Sequence, residues 1–218
     1  MALKDLALAA DMSPPKAHPY LVSFGKLGLI AQDSASGHYG LGPLAMQLGL
    51  ISLQQFDPIR LATARLPALA EDVGQTVAIA VWGTHGPTIV RTQEAPAPVH
   101  VAMRHGAVMS LRGTASGRLF AAHLARSVVR AASGEAGGDK PFDKAFEQAL
   151  AAIRSAGFSH AVDAAVPGVS GLAAPVFDGS GALVLSLTAI GATQAFDTRA
   201  AGKPAAALRR CAGELSAQ

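Results

Sequence analysis

"LALAADMSPPKAHPYLVSFGKLGLI", residues 6–30, decides how the first part of this chain is read. Working backward from it, Leu3, Leu6, Ala7 and Ala10 fall at i, i+3, i+4 and i+7, one apolar stripe on a short helix. Asp11-Met12 makes the turn. Ser13 is a natural N-cap, and Pro14 suits a first helical position, where its missing N–H has no partner to lose. Ala17, Tyr20, Leu21 and Phe24 repeat the spacing, predicting a second helix with Leu27 and Leu29 continuing toward the core and Gly25 or Gly28 as its breaker. Working forward, "LIAQDSASGHYGLG" (29–42) alternates apolar and polar residues around Ser34 to Gly37, a hairpin with a flexible tip. Helix, turn, helix, hairpin is the layout of a winged helix-turn-helix, a DNA reader.

Pro19 disturbs that layout. Inside a helix it lacks an N–H to bond back to Pro15 and clashes with that carbonyl, at about 3 kcal/mol. A helix that starts near Lys16 would put Pro19 close to its first turn and leave the recognition helix short.

The next segment, "PLAMQLGLISLQQF" (43–56), has Leu44, Leu48 and Ile51 on one side and Met46, Leu50 and Leu53 on another. A helix apolar on several faces must bury them against more than one partner. It is expected to link two domains and to pack on another subunit. From about Asp57 the pattern mixes helices and strands. "PIRLATARLPALAEDVG" is a helix ending near Gly74, "TVAIAVW" and "PTIVRT" form a hairpin across "GTHG", and "VHVAMR" (99–104) is a further strand. "SGRLFAAHLARSVVRAA" (116–132) is one helix, residues 133–140 a loop, and "FDKAFEQALAAIRSAG" a helix ended by Gly157. A hairpin about Asp178 to Gly181 and a helix over 204–215 close the set. Hairpins with interspersed helices predict an α+β fold with a mainly antiparallel sheet. The divisions are 1–42 for the reader, 43–56 for the linker helix and 57–218 for the second domain.

Composition bounds the function. Of 218 residues half are hydrophobic and only 15% charged, which suits a compact folded protein. No run approaches the roughly 18 apolar residues of a membrane span, and the first residues do not read as a secretory signal, so a cytoplasmic protein without membrane contact is expected. The single cysteine, Cys211, cannot form an internal disulfide or half of a zinc pair. The net charge is +3. Through residue 45, however, Lys4, Lys16 and Lys26 are balanced by Asp5, Asp11 and Asp33, and the first arginine is Arg60, so few groups are available to neutralise phosphates. Enzyme readings fail: neither Ser116 nor Ser170 has the glycines of a nucleophile elbow, "GHYGLG" is misspaced for a dinucleotide turn, and the histidines are scattered. No metal or cofactor is called for.

Three stretches, 3–42, "RGTASGRLFAAHL" (112–124) and "GFSHAVDAAVPGVSGLAAPVFDGSGALVLSLTAIG" (157–191), resemble the IclR-type bacterial transcription regulators in order and separation. The resemblance implies a winged helix reading operator DNA, a linker helix, and a GAF-like domain that binds a small-molecule effector, in a dimer or dimer of dimers that represses or activates a catabolic operon. Two departures stand out. Relatives usually carry a helix upstream of Leu3, so either the start is misplaced or the reader is incomplete, leaving Leu3, Leu6, Tyr20 and Leu21 uncovered at roughly 1.5–3 kcal/mol each. Pro19 stands where a polar or basic residue is expected.

The candidate DNA contacts are Lys16, His18, Ser23 and Lys26 on the second helix, with His38 and Tyr39 in the wing. By resemblance, the effector would lie against Thr114, Ala115 and Ser116, then Val169, Ser170 and Gly171, then Thr188 and Ile190; His100, Met103 and His105 either reach it or are surface residues of a strand. A helix opening at Ser116 presents free N–H groups and a positive dipole end, which suits a carboxylate; the plainer alternative is that Ser116 only caps that helix. Small or apolar Ala161, Gly171 and Ile190 favour an aromatic or longer acid over a two- or three-carbon one. The competing expectation is a sensor or oligomerisation module whose DNA reader is inactive.

Overall fold

The computed structural model describes residues 1–55, 57–95, 101–133 and 142–217. Contacts within the chain divide it into two compact units, Met1–Asp57 and Pro58–Gln218.

In the first unit, α1 (Leu3–Ala9) and α2 (Pro14–Lys26) are joined by a turn in which Asp11 takes a left-handed φ of 52°, a conformation that short Asp tolerates better than most side chains. Small residues let the helices close on each other: Ala7 and Ala17 are the buried hydrophobics among the described residues of this unit. Ser13 occupies the N-cap position of α2 in an extended conformation, but its side chain makes no cap bond; its carbonyl accepts from Lys16 and Ala17 instead. The helix therefore begins at Pro14, not near Lys16, and Pro19 lies inside it. Ser23 Oγ donates to the Pro19 carbonyl at 3.0 Å. Gly28, at φ 74°, turns the chain out of the helix, and Leu27, expected to point inward, is 66% exposed, because the helix has already ended when it is reached.

The wing is β1 (Ile30–Gln32) and β2 (Tyr39–Leu41), antiparallel with Ala31 opposite Gly40. Its tip is built on Asp33, whose carboxylate accepts from the Ala35 and Ser36 amides and the Ser36 hydroxyl; these bonds hold its pKa below the ordinary carboxylate value. α3 (Pro43–Gln55) follows, with Met46, Leu48 and Ile51 exposed.

The second unit is a five-stranded antiparallel sheet between two helical layers. α4 (Pro58–Val73) leads into β3 (Thr76–Gly83) and β4 (Gly86–Gln93); later come β5 (Ser159–Val162), β6 (Val169–Phe177) and β7 (Leu183–Ala192), in the order β4-β3-β7-β6-β5. Alternation along the strands assigns the faces. Val77, Ile79, Leu172, Ala174, Val176, Leu185, Leu187 and Ala189 pack against α4 and α8 (Lys203–Ser216). Ala78, Ala80, Ala161 and Ala173 face α5 (Ala115–His123), with α7 (Lys144–Ala156) behind it.

Three expectations are corrected. Residues 101–104 are not a strand; the chain meets β4 just after them, where the Ile89 amide donates to the Ala107 carbonyl and the Gly106 and Met109 amides donate to the Ile89 and Pro87 carbonyls, and the rest of that predicted strand lies outside the described residues. The helix expected over 116–132 is two, α5 and α6 (Arg126–Ser133), parted by extended Leu124. The bend brings Val129 into an apolar cluster with Leu111, Ala122 and Leu150, a burial that a straight helix would forfeit. Residues 159–162 form an edge strand that four residues of pattern could not announce. Of the expected loop after α6, residues 134–140 lie outside the described residues.

Candidate effector cavity and DNA-binding helix

A cavity of about 110 Å³ lies between the sheet and the start of α5. All eight residues expected around an effector line it: Thr114, Ala115, Ser116, Val169, Ser170, Gly171, Thr188 and Ile190. Met103 lines it as well, whereas His105 does not; that ring lies 3.1 Å from the Thr92 hydroxyl. His100 is outside the described residues. Met109, Gly113, Ala161, Ala165 and Val166 complete the lining. Of these Met109, Gly113, Ala165 and Val166 went unread from the sequence, because a loop residue's approach to a distant helix leaves no periodic trace.

The start of α5 is held tightly. Thr114, not Ser116, is its N-cap: Thr114 Oγ1 accepts from the Gly117 amide at 3.0 Å and donates to the Ser110 carbonyl at 2.8 Å. Ser110 Oγ takes the Gly113 amide at 3.0 Å. Gly117 is obligatory here, because a Cβ would fall onto the Ser110 carbonyl. Ser116 is thereby released from capping and is fully buried; its hydroxyl lies 2.7 Å from Thr188 Oγ1, which lies 3.3 Å from Ser186 Oγ. Ala115 and Ser116, the first residues of α5, find no acceptor for their amides among the described residues.

The three hydroxyls carry three protons and share two hydrogen bonds, so one proton is left over. If the chain runs from Ser186 through Thr188 to Ser116, the surplus proton lies at the cavity end, beside the two free amides. Among the described residues no ionisable side chain lines the cavity. The remaining wall is apolar, from Met103, Met109, Val166, Val169 and Ile190. Ser170 contributes differently from the others. Strand alternation puts it on the face of Leu172 and Ala174, away from α5. Its hydroxyl meets Thr193 Oγ1 at 2.8 Å, which donates to Asp163 at 2.6 Å, and Asp163 also accepts the Gly168 amide at 2.8 Å. This clasp closes the loop 163–168 whose Ala165 and Val166 roof the cavity.

On the DNA side, Lys16, His18, Ser23, Lys26 and His38 are exposed and Tyr39 is half-buried. At about 100° per residue, Lys16 and Ser23 share one flank of α2, His18 lies on the opposite flank, and Pro19 and Lys26 stand between. Ser23 has its proton committed to the Pro19 carbonyl.

Comparison with known proteins agrees in fold and in kind. The family model "Bacterial transcriptional regulator IclR C-terminal" matches residues 51–217. The glycerol operon regulatory protein of Streptomyces coelicolor is 28% identical over 222 positions, spanning 99% of this chain and 87% of that one. The crystal structure of Pseudomonas aeruginosa HmgR is 33% identical and superposes with a TM-score of 0.93, over 99% of this chain and 88% of the other. The Agobacterium tumefaciens repressor BlcR, 20% identical with a TM-score of 0.80 over 100% and 88%, shares the fold.

Proposed function

Because the chain belongs to the IclR family of bacterial transcriptional regulators, we propose that its second unit senses a small carboxylic acid with a compact apolar body, and that its first unit binds operator DNA in response. Its relatives are regulators rather than enzymes, typically ligand-responsive and oligomeric. No described helix is long and apolar enough to cross a membrane.

The observation that carries the reading is the one-sided polarity of the cavity. Two buried amides converge where an acceptor is missing, joined by a surplus hydroxyl proton when Ser186 donates toward Ser116, and nothing ionisable among the described residues lines the wall. A carboxylate supplies acceptors and is stabilised by the N-terminal end of α5, while an apolar body meets methionine, valine and isoleucine. The volume is comparable to the roughly 150 Å³ apolar cavity known to admit benzene, so a single ring is near the upper limit. The exposed Met46, Leu48 and Ile51 of α3 support a role for that helix in contact with a second copy. Lys16 and Lys26 would hold phosphates. Regulation then requires only that the DNA-bound and free arrangements differ in affinity for the acid.

Calorimetric titration of the full chain with benzoate, phenylacetate and glyoxylate tests the cavity. The aryl acids bind at least tenfold more tightly than glyoxylate, and Gly171→Leu, which fills the space opposite Ala115, abolishes binding. Tighter binding of glyoxylate overturns the reading. Fluorescence anisotropy with DNA flanking the gene, in a salt series, tests the reader; failure at low salt leaves a sensor without a reader.

A further inference from the structure

A second groove lies apart from the cavity, along the open edge of the sheet. It encloses about 320 Å³ between Ala149, Ala152 and Ile153 of α7, Phe158, and the polar pair Arg118 and His160. β5 is the last strand of the sheet, and among the described residues no strand pairs with its outer side. The floor is small and apolar because α7 presents alanines there.

Arg118 sets the chemistry. Nε donates to the Arg112 carbonyl at 2.6 Å and Nη1 to the His160 carbonyl at 3.1 Å, which uses two of about five N–H donors and fixes the plane of the guanidinium. No carboxylate pairs with it among the described residues, although Arg65, Arg112, Arg126, Arg199 and Arg210 all have one. Burial, then the charge of Arg112, lowers its pKa from the ordinary arginine value, which marks an uncompensated charge. Arg209 adds a second guanidinium at the rim, over the Phe158 ring, bonded only to the Ala200 carbonyl. No acidic side chain lines the groove among the described residues.

We propose that this groove is a second ligand site, for an amphipathic monocarboxylate whose head pairs with the free edge of Arg118 and whose apolar tail lies on the alanine face of α7. A fixed, partly desolvated guanidinium with no counter-charge is the group that gains most from a bidentate carboxylate. Adjacent apolar wall then selects an anion with a hydrocarbon body over a free inorganic ion. The site is independent of the cavity in its residues, yet both share α5 and β5: Ala115, Ser116 and Ala161 face one, Arg118 and His160 the other.

The test uses octanoate and, as sign control, octyltrimethylammonium, titrated calorimetrically into the full chain carrying Gly171→Leu so that the cavity does not contribute. Octanoate binds one per chain and octyltrimethylammonium does not. Ala152→Phe, which fills the groove without touching Arg118, and Arg118→Lys, which keeps charge but loses the fork, each weaken octanoate at least tenfold. Absence of saturable binding, or binding indifferent to both substitutions, overturns the proposal. Binding of the two amphiphiles alike shows a merely greasy surface and overturns it too. Loss of octanoate binding from the unsubstituted chain on introducing Gly171→Leu would assign the ligand to the cavity instead.

Discussion

Replacing Thr188 by valine is the sharpest probe of the buried hydroxyl chain. The shapes match closely, but the exchange removes the hydroxyl that meets both Ser116 and Ser186, each fully buried and with no other side-chain hydrogen-bond partner among the described residues. An unpartnered buried hydroxyl costs about 1–3 kcal/mol. The 3.3 Å contact to Ser186 is long, so most of the loss arises at Ser116, where the contact is 2.7 Å. The added methyl, at a position only 4% exposed, returns up to about 0.8 kcal/mol. The net loss is about 2 kcal/mol, which for a unit of this size lowers Tm by about 4–8 °C in a calorimetric scan. Adding Ser116→Ala removes the stranded hydroxyl, so the double variant is about 1 kcal/mol more stable than the two single losses predict. Additivity within about 0.4 kcal/mol, or a Thr188→Val variant as stable as the parent, would refute the pairing and with it the surplus proton at the cavity.

Gly117→Ala drives a methyl into the Ser110 carbonyl and is expected to destabilise the second unit by more than about 2 kcal/mol in urea titration; a neutral result would mean the Ser110–Thr114 turn is not held against α5. Pro19→Ala restores an N–H that can reach the Pro15 carbonyl, and is expected to stabilise the first unit by up to about 3 kcal/mol and raise its helical circular dichroism; a lower Tm would contradict an interior proline. His123 meets the Phe177 ring edge-on, with its Nε2 buried and without a partner among the described residues, and burial, then Arg154, holds its pKa below the ordinary value. The unfolded chain therefore binds this proton at pH values where the folded chain does not, so stability rises with pH through the window just below about 6.5 and falls on acidification. His123→Phe flattens that part of a Tm-against-pH curve; an unchanged slope assigns the acid sensitivity elsewhere.

Much of the architecture was legible because local rules and tertiary demand agreed. Gly74 and Gly157 end their helices in left-handed conformations, as expected of glycine after an amphipathic run. Hairpins at residues 84–85 and about Asp178 follow from turn residues between alternating strands. Where the two disagreed, the sequence misled. Residues 101–104 alternate like a strand, yet the chain bonds to the edge strand β4 a few residues later, at 106–109, a register that pattern does not carry. The run 116–132 is helical throughout by propensity, and only the gain from burying Val129 breaks it.

The residues of the cavity were named in advance through family resemblance, and the structure gathers them around one space; their individual roles were not readable. The helix was expected to open at Ser116, with a mere cap as the plainer alternative; it opens one residue earlier and Thr114 caps it, because the Ser110 carbonyl and the Gly117 amide both lie within its reach. Ser170 looked like a pocket hydroxyl, but strand alternation turns it toward Thr193 and the clasp of the roof. Composition, periodicity and glycine placement act over a few residues, so the sequence by itself determined the order of helices and hairpins and the scarcity of cationic groups in the reader. Which hydroxyl meets which, where an arginine is left without a carboxylate, and where an amide faces empty space depend on residues as far as 72 positions apart meeting at ångström precision. Only packing of the whole unit sets those encounters, since no local rule carries their distance.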